Sequence, residues 1–137
     1  MSPEVQAFAT GFPATLAHAV VSLIMLALGA AAYGFLTPHR EVPLIREGNT
    51  AAAISLGGVL IGLAIPLAVS LAASPSILET VVWGVATVAV QLLAFRLTDF
   101  ALTGLSARIQ EGDIAAASLL TAGRLATALI LAAAVTG

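Results

Sequence analysis

The chain has 137 residues, of which 60% are hydrophobic and only 9% are charged, with a formal net charge of −2. A soluble domain carries roughly 25% charged residues, so this chain has too little polar surface to cover itself in water. Together with a mean hydropathy of +1.08, this composition indicates a membrane protein. The chain has no basic patch, which argues against a nucleic-acid partner. It also has no cysteine, which excludes disulfides and cysteine-ligated metals.

Four apolar runs follow a short, mixed N-terminal tail at residues 1–12. A run of roughly 20 apolar residues is long enough to cross a bilayer core of about 30 Å. Because lipid cannot bond to the backbone, each run is predicted to be a helix. The sequence therefore predicts an all-α polytopic membrane protein, a single membrane domain over residues 1–137 with four transmembrane helices. The predicted spans are about 13–36, 50–72, 78–97 and 114–135.

The connections between the spans predict the orientation of the protein. Two are long polar loops, at 37–48 and 98–112, and the third is a tight turn near 73–77. Arg40 and Arg46 lie in the first loop, while Arg96 and Arg108 bracket the second. Because arginines concentrate on the cytoplasmic side, we expect both loops in the cytoplasm and both termini outside. Proline disfavours helix at the residue before it, so Pro38 is expected to end the first span.

Two copies of one polar stretch precede the second and fourth spans. Residues 45–53 read I-R-E-G-N-T-A-A-A, and residues 109–117 read I-Q-E-G-D-I-A-A-A. Each half is then a helix, a cytoplasmic loop and a helix, and two crossings per half give parallel repeats related by an axis along the membrane normal. We therefore predict two helix-loop-helix repeats, about 13–72 and about 78–135. Chance similarity between alanine-rich helices is the alternative.

The acidic and amide residues of these copies are candidates for a cytoplasmic mouth. Asn49 and Asp113 are good N-caps for the helices that follow. Glu47 and Glu111 would lie at the positive ends of the helix dipoles. A structural role as helix caps explains all four residue types. A functional role would place two carboxylates around one vestibule for an ion.

Arg124 is the least expected residue, because it lies near the middle of the fourth span. A charge at that depth is expensive and usually faces a bundle interior or a wet cavity. Thr121 and Thr127 lie three residues to either side, and Gln91 of the third span could approach it. Glu79 lies too near the outer end to be an obvious partner. These residues form a candidate intramembrane polar site; a snorkelling or intersubunit arginine is the structural alternative.

The second span carries a packing motif. Gly58 and Gly62 form a small-x-x-x-small pair, which lets helices approach closely. Pro66 removes one backbone donor and is expected to bend the helix. With this motif and a charge at midplane, we expect a homo-oligomer, most simply a dimer.

Motifs of known chemistry are missing from the sequence. His18 and His39 lie too far apart to form a metal motif, and no nucleophile–base pair occurs. We therefore expect no enzymatic activity, no cofactor and no bound metal.

Several stretches of the chain resemble the YjfL-like family of small bacterial inner-membrane proteins, a domain of unknown function. The similarity covers nearly the whole chain beyond the N-terminal tail. It implies four transmembrane helices built as two repeats in the bacterial inner membrane. Some relatives are associated, by gene neighbourhood, with phage-shock-type envelope-stress proteins. The stretches are 36–38, 44–53, 55–58, 65–68, 83–84 and 109–117.

Two functional hypotheses follow from the sequence. The first is a homo-oligomeric channel or small-solute or ion transporter, with the paired carboxylates as its mouth and the residues around Arg124 lining its interior. Intramembrane polar residues that faced a dry, packed interior would argue against it. The second is a non-transporting membrane anchor or scaffold whose cytoplasmic loops recruit an envelope-stress partner.

Overall fold

A computed structural model describes residues 1–37 and 41–136. Outside this range lie Pro38, His39 and Arg40. The predicted end of the first span at Pro38 and the contribution of Arg40 to the predicted orientation therefore fall outside the described residues. The described residues form helices and no strands. The helices are α1 Pro3–Leu36, α2 Glu41–Arg46, α3 Thr50–Ala73, α4 Ile77–Ala101, α5 Leu105–Gln110 and α6 Ile114–Thr136.

The prediction of an all-α polytopic membrane protein is confirmed. Within residues 1–37 and 41–136, four helices are long and apolar enough to cross a membrane. They are Pro3–Leu36, Thr50–Ala73, Ile77–Ala101 and Ile114–Val135. Whether they form two parallel repeats stays a prediction.

The first helix starts earlier than the sequence suggested. Residues 3–12, interpreted as a tail, belong to α1, which has 34 residues and a length of about 51 Å at 1.5 Å per residue. Ser2 caps this helix by accepting a hydrogen bond from the Val5 N–H at 3.3 Å. Pro3 suits the first helical position, where no N–H is needed, and Glu4 complements the helix dipole. These local signals outweigh the low hydrophobicity of the segment.

The two long connections also contain regular structure, although they were predicted as loops. Residues 37–48 include the short helix α2, and residues 98–112 include α5 together with the last turn of α4. Leu105 and Ile109 of α5 are buried against α3 and α6. The apolar residues within these segments therefore fold back onto the bundle as helices. We call the end of the bundle that carries α2 and α5 the loop end, and the opposite end, with residues 74–76, the turn end.

Helices α3 and α6 form the central seam of the bundle. Ala51 and Ala52 of α3 pack with Ala116 and Ala117 of α6 near the start of both helices. Farther along, a Cβ atom at Gly58 would lie 2.7 Å from Cγ2 of Thr121. The small residues therefore allow close contact between the two backbones.

The starts of α3 and α6 have matching hydrogen bonds. The side chain of Asn49 accepts from the Ala52 N–H at 3.0 Å, and that of Asp113 accepts from the Ala116 N–H at 3.1 Å. Gly48 and Gly112, which precede these caps, have φ values of 89° and 88°. This left-handed conformation suits glycine, which has no Cβ. The amide of Asn49 also donates to the carbonyl of Ile109 at 3.0 Å, which ties the two loops together.

Helix α1 packs on the bundle through one narrow stripe near its C-terminal half. Its buried residues are Met25, Gly29 and Tyr33, which are spaced four apart and so share one face. Met25 lies against Gly84 of α4, where a Cβ would meet its side chain. This stripe brings the hydroxyl of Tyr33 into the bundle at the loop end.

Candidate functional site at Arg124

Arg124 lies inside the bundle with its side chain fully buried. Its Nη1 donates to the carbonyl oxygen and to Oγ of Ser55, at 3.2 and 3.0 Å. Its Nη2 donates to Oη of Tyr33 and to Oδ1 of Asp99, both at 3.0 Å. The guanidinium therefore joins α6 to α1, α3 and α4. It forms a direct ion pair with Asp99, whose side chain is 13% exposed.

The guanidinium lies closer to the loop end than its backbone does. Arg124 is the eleventh residue of α6, but its head group contacts Ser55, the sixth residue of α3. Side chains on a helix point toward its N-terminus, and a long side chain extends this displacement. The side chain of Arg124 therefore extends toward the loop end inside the protein rather than through lipid. There its guanidinium lies beside Asp99, in the last turn of α4.

Glu41 of α2 forms a second layer around the site. Its Oε1 accepts from Oη of Tyr33 at 2.7 Å and from Oγ of Ser55 at 3.0 Å, and the residue is only 5% exposed. Each hydroxyl therefore accepts from Arg124 and donates to Glu41. The two hydroxyls link the positive and negative groups, a polarised network that is stronger in a low-dielectric interior. We call Tyr33, Glu41, Ser55, Asp99 and Arg124 the Arg124 cluster.

Aromatic rings surround the guanidinium. Its Cζ lies 5.1 Å from the ring centre of Tyr33 and 5.7 Å from that of Phe95, within cation–π range. The two rings meet edge to face with centres 6.3 Å apart. Phe95 reaches this position because Gly62 has no side chain: a Cβ there would lie 2.9 Å from Cζ of Phe95. The small residue on α3 therefore makes room for the ring.

The other residues of the predicted polar site are placed differently. Thr121 donates to the carbonyl of Ile54, and Thr127 to the carbonyl of Arg124 itself, so both hydroxyls bond to backbone. Gln91 is fully buried, and neither of its amide atoms has a hydrogen-bond partner within the described residues. Of the predicted set, only Arg124 belongs to the cluster.

The predicted mouth residues lie at the loop end. Glu47 and Glu111 are exposed. Asp113 forms an ion pair with Arg108, with an Nη2–Oδ2 distance of 2.6 Å. The Ala116 N–H bond, followed by the Arg108 side chain, lowers the pKa of Asp113 below its ordinary value. Asn49 and Asp113 act as caps in this structure. Among the described carboxylates, Glu41 is buried and the side chain of Asp99 is only 13% exposed.

A cavity of about 610 Å³ opens beside the cluster at the loop end. It lies between the end of α1, α2 and α3, and most of its wall is apolar. Tyr33, Thr37 and Glu41 contribute its polar atoms. The cavity therefore connects the protein surface with the Glu41 side of the Arg124 cluster.

Arg124 was predicted from the sequence as part of a polar site, but its partners were not. Asp99 was assigned to a loop because the third span was predicted to end near residue 97, whereas α4 continues to Ala101. If the third span is extended to residue 99, Gln91, Phe95 and Asp99 are spaced four apart and share one helix face. This spacing could have indicated that Asp99 faces the bundle. Tyr33 and Ser55 sit in apolar runs where a single hydroxyl is common. Glu41 lies on α2, which was not predicted.

Fold and site define a polytopic all-α membrane protein with a buried ion pair in its bundle. Residues 7–135 match the family described as Domain of Unknown Function (DUF350), and the chain belongs to that family. It is 31% identical over 120 residues to the UPF0719 inner membrane protein YjfL of Escherichia coli strain K12, over 88% of this chain and 91% of the relative. The YjfL of Escherichia coli O157:H7 gives the same values. No solved structure matches the chain.

These comparisons confirm the resemblance to the YjfL-like family. The protein is an inner-membrane protein with four candidate transmembrane helices. The family description names no activity.

Proposed function

We propose that this protein is a homo-oligomeric channel or small-ion transporter in which the Arg124 cluster controls passage. The observation that carries the proposal is the fully buried guanidinium of Arg124, held by an aspartate and two hydroxyls between four helices. Ionisable groups are costly inside a membrane, and where they occur they commonly mark ion or proton pathways. Two carboxylates belong to the same network: Asp99 binds the guanidinium directly, and Glu41 binds it through the hydroxyls of Tyr33 and Ser55.

Access from one side supports the same proposal. The cavity of about 610 Å³ leads from the loop end to Tyr33 and Glu41. An ion or proton arriving there would meet a carboxylate first and the arginine next. Glu47 and Glu111 are exposed at the same end and would raise the local cation concentration electrostatically.

We further propose the orientation expected from the arginines. Arg46 and Arg108 lie at the loop end with α2 and α5, which would place this end in the cytoplasm. Reporter-domain fusions after residue 47, after residue 111 and at the C-terminus test the orientation. A periplasm-dependent reporter should be active at the C-terminus and inactive at the two loops, and the reverse pattern would contradict it.

The test of function is ion and proton flux from liposomes that contain the purified protein. Selective flux is expected for the wild type, and a severalfold change is expected for Arg124→Lys. Lysine keeps the charge but cannot form the same forked set of hydrogen bonds. Glu4→Gln, which neutralises an exposed carboxylate far from the cluster, is the control and should leave flux unchanged.

The double variant Glu47→Gln/Glu111→Gln tests the mouth separately. Reduced cation flux with unaltered oligomer size would support a role in collecting ions. The absence of flux across a broad ion panel, from a folded oligomer, would contradict the proposal.

A second candidate function is a non-transporting scaffold. The close contact between α3 and α6 at Gly58 and Thr121 favours it, because this seam leaves no space for a pore through it. In that case α2 and α5 would present a surface to a cytoplasmic partner. The scaffold would be supported if the protein captured one defined envelope-stress protein, if Arg46→Ala/Glu47→Ala abolished this capture, and if the wild type showed no flux.

A further inference from the structure

Several buried polar atoms in the bundle have no hydrogen-bond partner within the described residues. They include both amide atoms of Gln91, Oγ of Ser70 and Nε of Arg124. Unpaired polar groups are expensive in an apolar interior, and proteins usually satisfy them with ordered water. Four such atoms in one small bundle therefore point to a hydrated interior.

Gln91 belongs to a stripe of buried polar residues on one face of α4, which we call the polar stripe. On α4, Thr80, Thr87 and Gln91 are all buried and are spaced seven and four residues apart, which places them on one face. Asp99 of the Arg124 cluster follows two turns later on the same face. The polar stripe thus runs from the turn end toward the cluster, with Phe95 between Gln91 and Asp99 on the same face.

The neighbouring helix α3 also contributes polar atoms, one at the turn end and one farther along the helix. Ser70 lines a cleft of about 180 Å³ at the turn end, together with Glu79 and Trp83. Pro66, one turn away, has no N–H to donate to the carbonyl of Gly62. Gly62 itself faces Phe95, one turn from Gln91. A backbone carbonyl that lacks its helical hydrogen bond is tolerated within a membrane where it is buried in protein or faces water.

We infer that water enters the bundle from the turn end through the Ser70 cleft, and that ordered water molecules connect Gln91 with Nε of Arg124. The Arg124 cluster then separates two hydrated regions, this one and the cavity at the loop end. The inference does not depend on transport, because water can occupy the interior without any ion crossing it. Hydration without flux would leave the inference intact and contradict the proposed function.

Hydroxyl-radical footprinting of the full-length protein in lipid nanodiscs tests the inference, because radicals form at bound water. Phe95 and Leu120 are equally buried, at 1% exposure, but only Phe95 lies beside the stripe. After correction for intrinsic reactivity, Phe95 should be labelled several times faster than Leu120. Gln91→Leu should reduce the labelling of Phe95 severalfold and leave that of the exposed Trp83 unchanged.

Equal protection of Phe95 and Leu120 in the wild type would overturn the inference. Labelling of Phe95 that persists unchanged in Gln91→Leu would overturn the assignment of water to Gln91. If that variant does not fold, Thr87→Val replaces it, since valine removes one hydroxyl of the stripe and nearly keeps the shape. It should also lower the labelling of Phe95, and unchanged labelling would count against the inference.

Discussion

Replacing Tyr33 by phenylalanine removes one hydroxyl and leaves the ring in place. That hydroxyl accepts from Nη2 of Arg124 at 3.0 Å and donates to Oε1 of Glu41 at 2.7 Å. Each hydrogen bond to a charged group contributes about 1.5–3 kcal/mol, and removing one partner leaves the other buried. Since the bonds belong to one network, we expect a loss of about 3–5 kcal/mol of unfolding free energy.

The assay is reversible unfolding in mixed detergent micelles, followed by circular dichroism. The ring contact with Phe95 is retained in the variant, so the loss reports the hydroxyl. Thr15→Val is the matched control, because the Thr15 hydroxyl is exposed and donates to the Gly11 carbonyl within its own helix. A loss below about 0.5 kcal/mol for Tyr33→Phe, the size of an ordinary surface substitution, would refute the network.

Three further predictions concern the seam and its caps. Gly58→Ala should lower the unfolding free energy by about 1–3 kcal/mol, because the new Cβ would lie 2.7 Å from Thr121. In the same unfolding assay, Gly57→Ala is the control and should be nearly neutral, because a Cβ at Gly57 has no atom within 4 Å. Asn49→Ala should cost more than the value of about 1 kcal/mol that is typical of a lost cap, because the amide also donates to the Ile109 and Gln110 carbonyls. A loss of about 1 kcal/mol or less would contradict this. The lowered pKa of Asp113 means that its contribution to stability is present above its unfolded pKa of 3.8 and disappears as the pH falls through the folded value. Asp113→Asn should therefore reduce the loss of stability in acid, and a pH–stability curve identical to the wild type would count against the assignment.

Most of the fold could be predicted because membranes impose a simple constraint. Runs of apolar residues long enough to cross a bilayer must be helices, and this rule located all four spans. Helix ends were less predictable. Ser2 and Pro3 start α1 ten residues before its apolar run. Leu105 and Ile109 belong to a short helix that packs against α3 and α6, and this packing between distant segments is not visible in the local sequence.

The site was only partly predictable. Arg124 stood out because a charge inside an apolar run is costly, whatever its neighbours are. Its partners depend on packing between helices that are distant along the chain: Ser55 is 69 residues away, and Tyr33 is 91. No local pattern records such a contact. Because the side chain of Arg124 extends toward the loop end, its guanidinium pairs with Asp99 rather than with Gln91, which had been expected to approach it.

The measurement that tests the central claim most directly is flux through proteoliposomes containing Asp99→Asn. This change keeps the shape of the side chain but removes the charge paired with Arg124 at 3.0 Å. If the Arg124 cluster controls passage, ion or proton flux should change severalfold relative to the wild type, at equal oligomer size and equal protein content, while Glu4→Gln matches the wild type. Flux that is identical in Asp99→Asn and the wild type, or absent from both, would contradict the account.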